Sequence, residues 1–304
     1  MRKFLFTIAF LALPAGLFSQ TLPSLLVPSD AAGLGMASAT VAGKPCAFAL
    51  ENNASSMSFL EKTFSIAASY GMWQPAAAKD QILGAGAVFK ATGRLAFGVA
   101  AKMFNQPAYT IFDENGVASQ VNGTFTPKEA SVGLGVSFAV TDFLSVGVTG
   151  KMLSSSLAKD AKANVFGGDV SLVYAADALR AGLSVNNLGG KVKYGTSEYS
   201  QPSLVKAGAS YTFGSAAASA VTAAAEADYL FAGALMAGLG TEYSYKDRVF
   251  ARAGFHYGDK AKAIPSYASL GLGGQFAGVS LNAAFLLGSK TLGNSLLFSL
   301  GYAF

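Results

Sequence analysis

The sequence is short of the residues on which most catalytic and metal chemistry depends. It holds one cysteine, Cys46, one histidine, His256, and one tryptophan. A single cysteine excludes an internal disulfide, and Cys46 lies too far into the chain to be the lipid-modified first residue of a lipoprotein. One histidine and one cysteine leave no cluster for zinc or haem and no Cys/His nucleophile pair, so no catalytic, cofactor or metal site is expected. Charge is scarce as well: 13% of residues are Asp, Glu, Lys or Arg, against about 25% in an ordinary soluble domain. The formal charge of +5 is too mild and too evenly spread for a nucleic-acid surface. Although 52% of the chain is apolar, no run reaches the roughly 20 residues of a spanning helix.

What is present begins with an export signal. Arg2 and Lys3 precede an apolar run from Phe4 to Leu13, then Pro14-Ala15-Gly16 and small or polar residues to Gln20. This order of basic, apolar and small residues reads as a secretory signal peptide over 1–19, cut after Ser19, with Leu17 and Ser19 in the positions the peptidase reads. Without its two basic residues the mature chain has 20 Lys and Arg against 17 Asp and Glu.

From about residue 63 onward the sequence alternates with period two, which is the signature of strands. In the last segment Leu296, Phe298, Leu300, Tyr302 and Phe304 share one face, and Leu297, Ser299, Gly301 and Ala303 share the other. A water-facing sheet surface would be richly charged, whereas here the second face is glycine, serine and alanine. That suits a closed barrel with lipid outside and a crowded interior, since only closure satisfies every strand backbone in a bilayer. Such segments fall at 63–73, 80–90, 93–104, 127–139, 142–154, 164–175, 178–188, 203–213, 220–231, 235–245, 248–257, 266–276, 278–288 and 294–304. The expected fold is therefore all-β, a transmembrane antiparallel barrel of about 14 strands over 63–304. An even count returns both ends to the periplasm. Tight turns at Thr92, Thr141, Ala176-Asp177, Lys246-Asp247 and Ala277 mostly alternate with longer connections at 105–126, 155–163, 189–202 and 258–265. The first three of these are the expected external partner surface.

Residues 20–62 do not alternate. They contain Asp30, Gly33, Gly35, Asn52 and Asn53, and an irregular segment at membrane depth must be sheltered. The expectation is an N-terminal periplasmic cap or a plug folded into the lumen. With large apolar side chains outward, alternation turns Lys90, Lys102, Lys151, Asp169, Arg180, Lys206, Glu226, Asp228, Glu242, Arg252 and His256 inward. Asp169 is expected to pair with Arg180 and Glu242 with Arg252, as burial of charge demands. Two readings stay open: a polar path or binding site, and a salt-bridged filling of a closed lumen. The outward rings of Phe64, Tyr70, Tyr174, Tyr211, Phe213, Tyr229, Tyr243, Tyr245, Phe255 and Tyr257 lie near strand ends and read as an interfacial belt.

Several short motifs point to a family. The terminal Phe304, with Tyr302 and apolar residues every second position back to Leu296, resembles the signal read by the outer-membrane barrel assembly machinery. The opening from Ser29-Asp30-Ala31-Ala32-Gly33-Leu34-Gly35-Met36-Ala37 through Ala54 to Leu60-Glu61-Lys62-Thr63 is similar to that of the PorV/PorQ family. So are Pro127-Lys128-Glu129-Ala130 and Leu183-Ser184-Val185-Asn186-Asn187-Leu188-Gly189. The family has Asn-Pro-Ala where this chain has Asn52-Asn53-Ala54, and the opening is more PorV-like than PorQ-like. The resemblance implies a fourteen-strand barrel related to FadL-type transporters. It also implies a bacterial outer-membrane component of the type IX secretion system that accepts or shuttles exported proteins. Expected partners are outer-membrane lipids, the assembly machinery, secretion proteins and cargo. A FadL-like carrier of hydrophobic molecules and a purely structural barrel are the alternatives.

Overall fold

The computed structural model describes residues 22–76, 78–112, 123–259, 262–288 and 292–304; the expected signal peptide lies outside the described residues. Strands are β1 Phe64–Trp73, β2 Asp80–Lys90, β3 Leu95–Asn105, β4 Tyr109–Thr110, β5 Thr124–Phe125, β6 Lys128–Ala139, β7 Leu144–Ser156, β8 Lys162–Ala176 and β9 Leu179–Gly189. They continue as β10 Val192–Tyr194, β11 Ser197–Tyr199, β12 Leu204–Gly214, β13 Ser219–Leu230, β14 Ala234–Tyr245, β15 Val249–Gly258, β16 Tyr267–Phe276, β17 Val279–Gly288 and β18 Ser295–Ala303. Fourteen of these pair in order and close into one antiparallel barrel, β1 meeting β18. The other four make two small hairpins, β4–β5 and β10–β11, inside the long connections. Among the described residues no helix is long and apolar enough to cross a membrane.

The barrel strands lie where the alternation puts them, with every edge within two residues of the expected one. Burial follows the same period: in β7 the odd residues from Ser145 to Ser155 are inward and mostly buried, while the even residues from Val146 to Ser154 are exposed. The outward set is large and apolar, as in Leu134, Phe166, Leu239, Leu272 and Leu300. Tight turns match the twist of the strands they join: Ala277 and Gly278 both have positive φ, 49° and 83°, in the connection from β16 to β17. Taking the short connections as periplasmic, β1 rises toward the cell exterior and β18 returns to the periplasm.

A fourteen-strand barrel is wider than the eight-strand kind that side chains alone can fill. The space is taken by the chain's own N-terminal segment, residues 22–60. It enters from the external end, where Leu22 packs on Leu153, Val165 and Val192, and Leu26 against Leu204, Leu230 and Met236. Mid-lumen it forms a short helix α1 (Ala31–Gly35), N-capped by Asp30, whose carboxylate accepts from Ala32 N–H at 2.9 Å. It continues through α2 (Ala49–Asn53) and a 3-10 turn (Ala54–Phe59). At the periplasmic end Leu50, Met57 and Leu60 pack with Val88, Ala96 and Ala100. Each such fully buried Leu or Met contributes roughly 1.5–3 kcal/mol relative to an exposed one.

The glycines of the inner face have their purpose here. A Cβ on Gly147 would meet Ser55 N at 2.5 Å, and one on Gly182 would strike the Val41 carbonyl oxygen. Wall and segment thus approach backbone to backbone. Gly182→Val should lower the temperature at which the folded barrel is lost in detergent gels, reflecting about 1–3 kcal/mol of overpacking. Gly150→Val, where an added Cβ meets nothing within 4 Å, should leave that temperature unchanged.

Candidate functional site

The interior is layered: apolar at the external end, charged in the middle, and lined by serine toward the periplasm. In the middle, Lys206 on β12 holds Glu226 on β13 at 3.0 Å and Asp228 at 3.8 Å. The second oxygen of Glu226 accepts the backbone N–H groups of Thr40 and Val41 at 2.7 and 2.6 Å. A wall carboxylate therefore does for the luminal segment what a neighbouring strand would do. Arg252 donates Nε–H to Glu242 at 2.7 Å and Nη1–H to Asn282 at 2.9 Å, as expected for directly opposed partners on β14 and β15. His256 stacks on Tyr267, with centroids 4.7 Å apart, and Tyr267 Oη lies 2.9 Å from Ser38 Oγ.

The expected Asp169–Arg180 pair does not form. Asp169 binds Lys151 at 2.6 Å and accepts from Asn187 N–H at 2.8 Å, where the β8–β9 ladder is interrupted between Gly168 and Val170. Arg180 is opposite Ala175, six residues along β8 from Asp169 and so about 20 Å away. Its Nε–H donates instead to the Gly43 carbonyl at 3.1 Å. Lys90 likewise serves the segment, donating to the Leu60 carbonyl at 2.8 Å.

The candidate residues of the segment are also bonded. Asn52 Nδ2 donates to Asp30 at 3.3 Å, and Asn53 joins Val41 O at 2.6 Å to Ser55 N at 3.1 Å. Gly33 sits under Thr40 and Asp30, while Gly35 lies against Arg252 and the Gly271 backbone. Three sets of contacts went unread in the sequence. Glu51 on α2 lies 3.7 Å from Lys102, which also donates to Val27 O at 2.8 Å. Glu129 accepts both the backbone N–H and the hydroxyl of Ser24; the alternation of β6 was enough to turn it inward. Ser137, Ser145 and Ser171 bind Ser55 and Ser58, and only the small polar character of that face hinted at them.

A void of about 50 Å³ lies among Leu25, Leu50, Glu51, Lys102, Thr149 and Lys151, enough for a few waters and far below the roughly 300–1,000 Å³ of sites for small organic ligands. A larger recess, about 540 Å³, is on the lipid-facing wall around Ala68, Ala85, Ala101 and Leu300. Among the described residues no group of three His, Cys, Asp or Glu is placed to hold a metal. Over the external mouth, the β10–β11 hairpin buries Val192 and is tied down by Tyr194 Oη to Ser155 Oγ at 2.6 Å. Its outer face pairs Lys193 with Glu198 at 2.7 Å, and the hydrogen bond from Lys193 holds the Glu198 carboxyl below its usual range. Residues 113–122 of the expected partner connection lie outside the described residues.

The comparisons fit this geometry. The sequence model of the family described as type IX secretion system protein PorV matches residues 16–234. The chain belongs to that family. PorV-family membership and the closed fourteen-strand wall place it in the bacterial outer membrane. No curated protein sequence matches it. In fold it is similar to the monoaromatic hydrocarbon channel CymD, with a TM-score of 0.66 at 14% identity over 92% of this chain and 98% of that one. It is also similar to the P. putida toluene transporter TodX, with a TM-score of 0.64 at 14% identity over 92% and 99%. A Pseudomonas aeruginosa FadL homologue gives 0.55 at 15% identity over 92% and 99%.

Glu226→Gln keeps the shape of the side chain, leaves Lys206 with Asp228 alone at 3.8 Å, and takes the carboxylate away from the two segment N–H groups. The expected cost is about 3–5 kcal/mol, seen as a lower unfolding temperature and as faster proteolysis between residues 36 and 48. Glu198→Gln on the exposed hairpin should alter neither.

Proposed function

We propose that this PorV-family barrel binds exported proteins at the cell surface and presents or passes them to other components of the type IX secretion system. In this reading residues 20–62 act as a permanent plug and 63–304 as a rigid platform whose working surface is external. The observation that carries the reading is the filled lumen. A segment hydrogen-bonded to wall side chains along its length, with a void of about 50 Å³ beside it, leaves binding at the rim as the way to handle a protein.

The fold shared with hydrocarbon channels supports a second reading, passage of a small apolar molecule through the wall. The charged middle layer of Lys206, Glu226, Asp228, Glu242 and Arg252 counts against it, because an apolar solute there would strip partners from buried charges.

Tagged full-length protein should be extracted from native outer membranes in mild detergent, with mass spectrometry of its bound proteins and lipids. Secretion-system components and exported proteins are the expected companions. Recovery of fatty acids or other apolar small molecules with no protein companion would contradict the proposal and support the transporter reading.

A further inference from the structure

The external rim of the lipid-facing wall is uneven. On five adjacent strands, β2, β3, β6, β7 and β8, the outward residues Gln81, Asn105, Lys128, Ser156 and Lys162 are successive ladder partners and form one polar row. They share the outward parity of Leu83, Met103, Val132, Met152 and Phe166, and both lysines are exposed. Elsewhere on the rim the outward residues nearest the external strand ends are apolar or aromatic, among them Tyr229, Leu235, Tyr257, Leu287 and Leu296.

Lys128 and Lys162 are two strand spacings apart, about 10 Å at their backbones. Among the described residues neither has a carboxylate within ion-pair distance. Glu129, next to Lys128, points inward to Ser24. The turn above contributes one charge of each sign, Lys159 and Asp160. The next outward positions toward the bilayer are Leu83, Met103, Ala130, Ser154 and Asn164, and one step lower the wall is apolar, with Val132, Met152 and Phe166 exposed and Leu134 beneath them. A lysine stationed at the edge of hydrocarbon needs an anion or water at head-group height, and phosphate oxygens take charge-assisted hydrogen bonds from ammonium groups there.

We infer that this row is a binding site for a phosphorylated glycolipid of the outer leaflet. Lys128 and Lys162 hold its phosphate groups. Gln81, Asn105 and Ser156 meet its sugar hydroxyls, and its acyl chains lie along Val132, Leu134, Met152 and Phe166. The amide and hydroxyl flanks favour a sugar head group over a plain phospholipid, because they offer both donors and acceptors to a polyol. The inference is independent of whether the barrel handles exported proteins, since it concerns the wall and not the mouth.

The test is native mass spectrometry of the full-length protein in detergent, titrated with diphosphorylated lipid A, its dephosphorylated form and phosphatidylglycerol. Lipid A should be retained by wild type and by K128R/K162R. It should bind roughly tenfold more weakly to K128Q/K162Q, two exposed charge contacts being worth about that factor together. The pair K191Q/K193Q on the external hairpin should bind like wild type, and heat-shifted mobility on gels checks that each variant is folded. Equal lipid A retention by K128Q/K162Q overturns the site. Tight binding of the dephosphorylated form overturns the role of the lysines, and phosphatidylglycerol binding as tight as lipid A overturns the glycolipid class. Lysine-dependent binding of poly-glutamate without lipid A binding would assign the row to an acidic protein instead.

Discussion

A strand wall of fourteen encloses more room than its inward side chains can fill, and every polar group inside that room needs a partner. Most other features of the molecule follow from this constraint. The inner face is cut back to glycine, alanine and serine at Gly147, Gly182, Ser137 and Ser171, so that a second layer of chain fits against it. Buried Glu226 divides its two oxygens between a cation of the wall, Lys206, and the backbone of the filling segment at Thr40 and Val41. Buried ion pairs contribute little net stability compared with apolar packing. Here they fix register between two pieces of chain that share no ladder, while Leu22, Leu34, Leu50 and Met57 supply the burial energy.

The wall was legible because period two is a local signal. The last strand, from Leu296 to Phe304, shows its lipid face and its lumen face within nine residues, and nothing distant can mask that. The small hairpins β4–β5 and β10–β11 were not legible, since two or three residues carry no period. Register is fixed where a tight turn joins two strands: the three-residue connection 246–248 sets Tyr245 opposite Val249 and Glu242 opposite Arg252. Counting from the turn read at Ala176-Asp177 sets Asp169 opposite Ser184 and not Arg180, so the mistaken pair came from matching charge without counting register. The partners from the N-terminal segment, Glu51 for Lys102 and Ser24 for Glu129, had no period and no turn to count from. They depend on how an irregular segment threads a lumen, which only the folded chain displays.

Family and fold point in different directions at the level of function. The family is that of a secretion component, while the structural neighbours include hydrocarbon channels at 14% identity, a likeness that speaks to architecture alone. The charges of the interior favour the proposed secretion reading. A route for apolar solutes needs a continuous greasy path, and here the apolar external third gives way to the charged side chains of Lys206, Glu226, Asp228, Glu242 and Arg252, with Glu226 bonded to the segment that crosses them.

Conductance of the full-length protein reconstituted in planar bilayers tests the filled lumen most directly. A barrel closed along its length by residues 22–60 is silent under applied voltage at all concentrations of inserted protein. Discrete, porin-like current steps from the intact chain would show an open aqueous path and contradict the account.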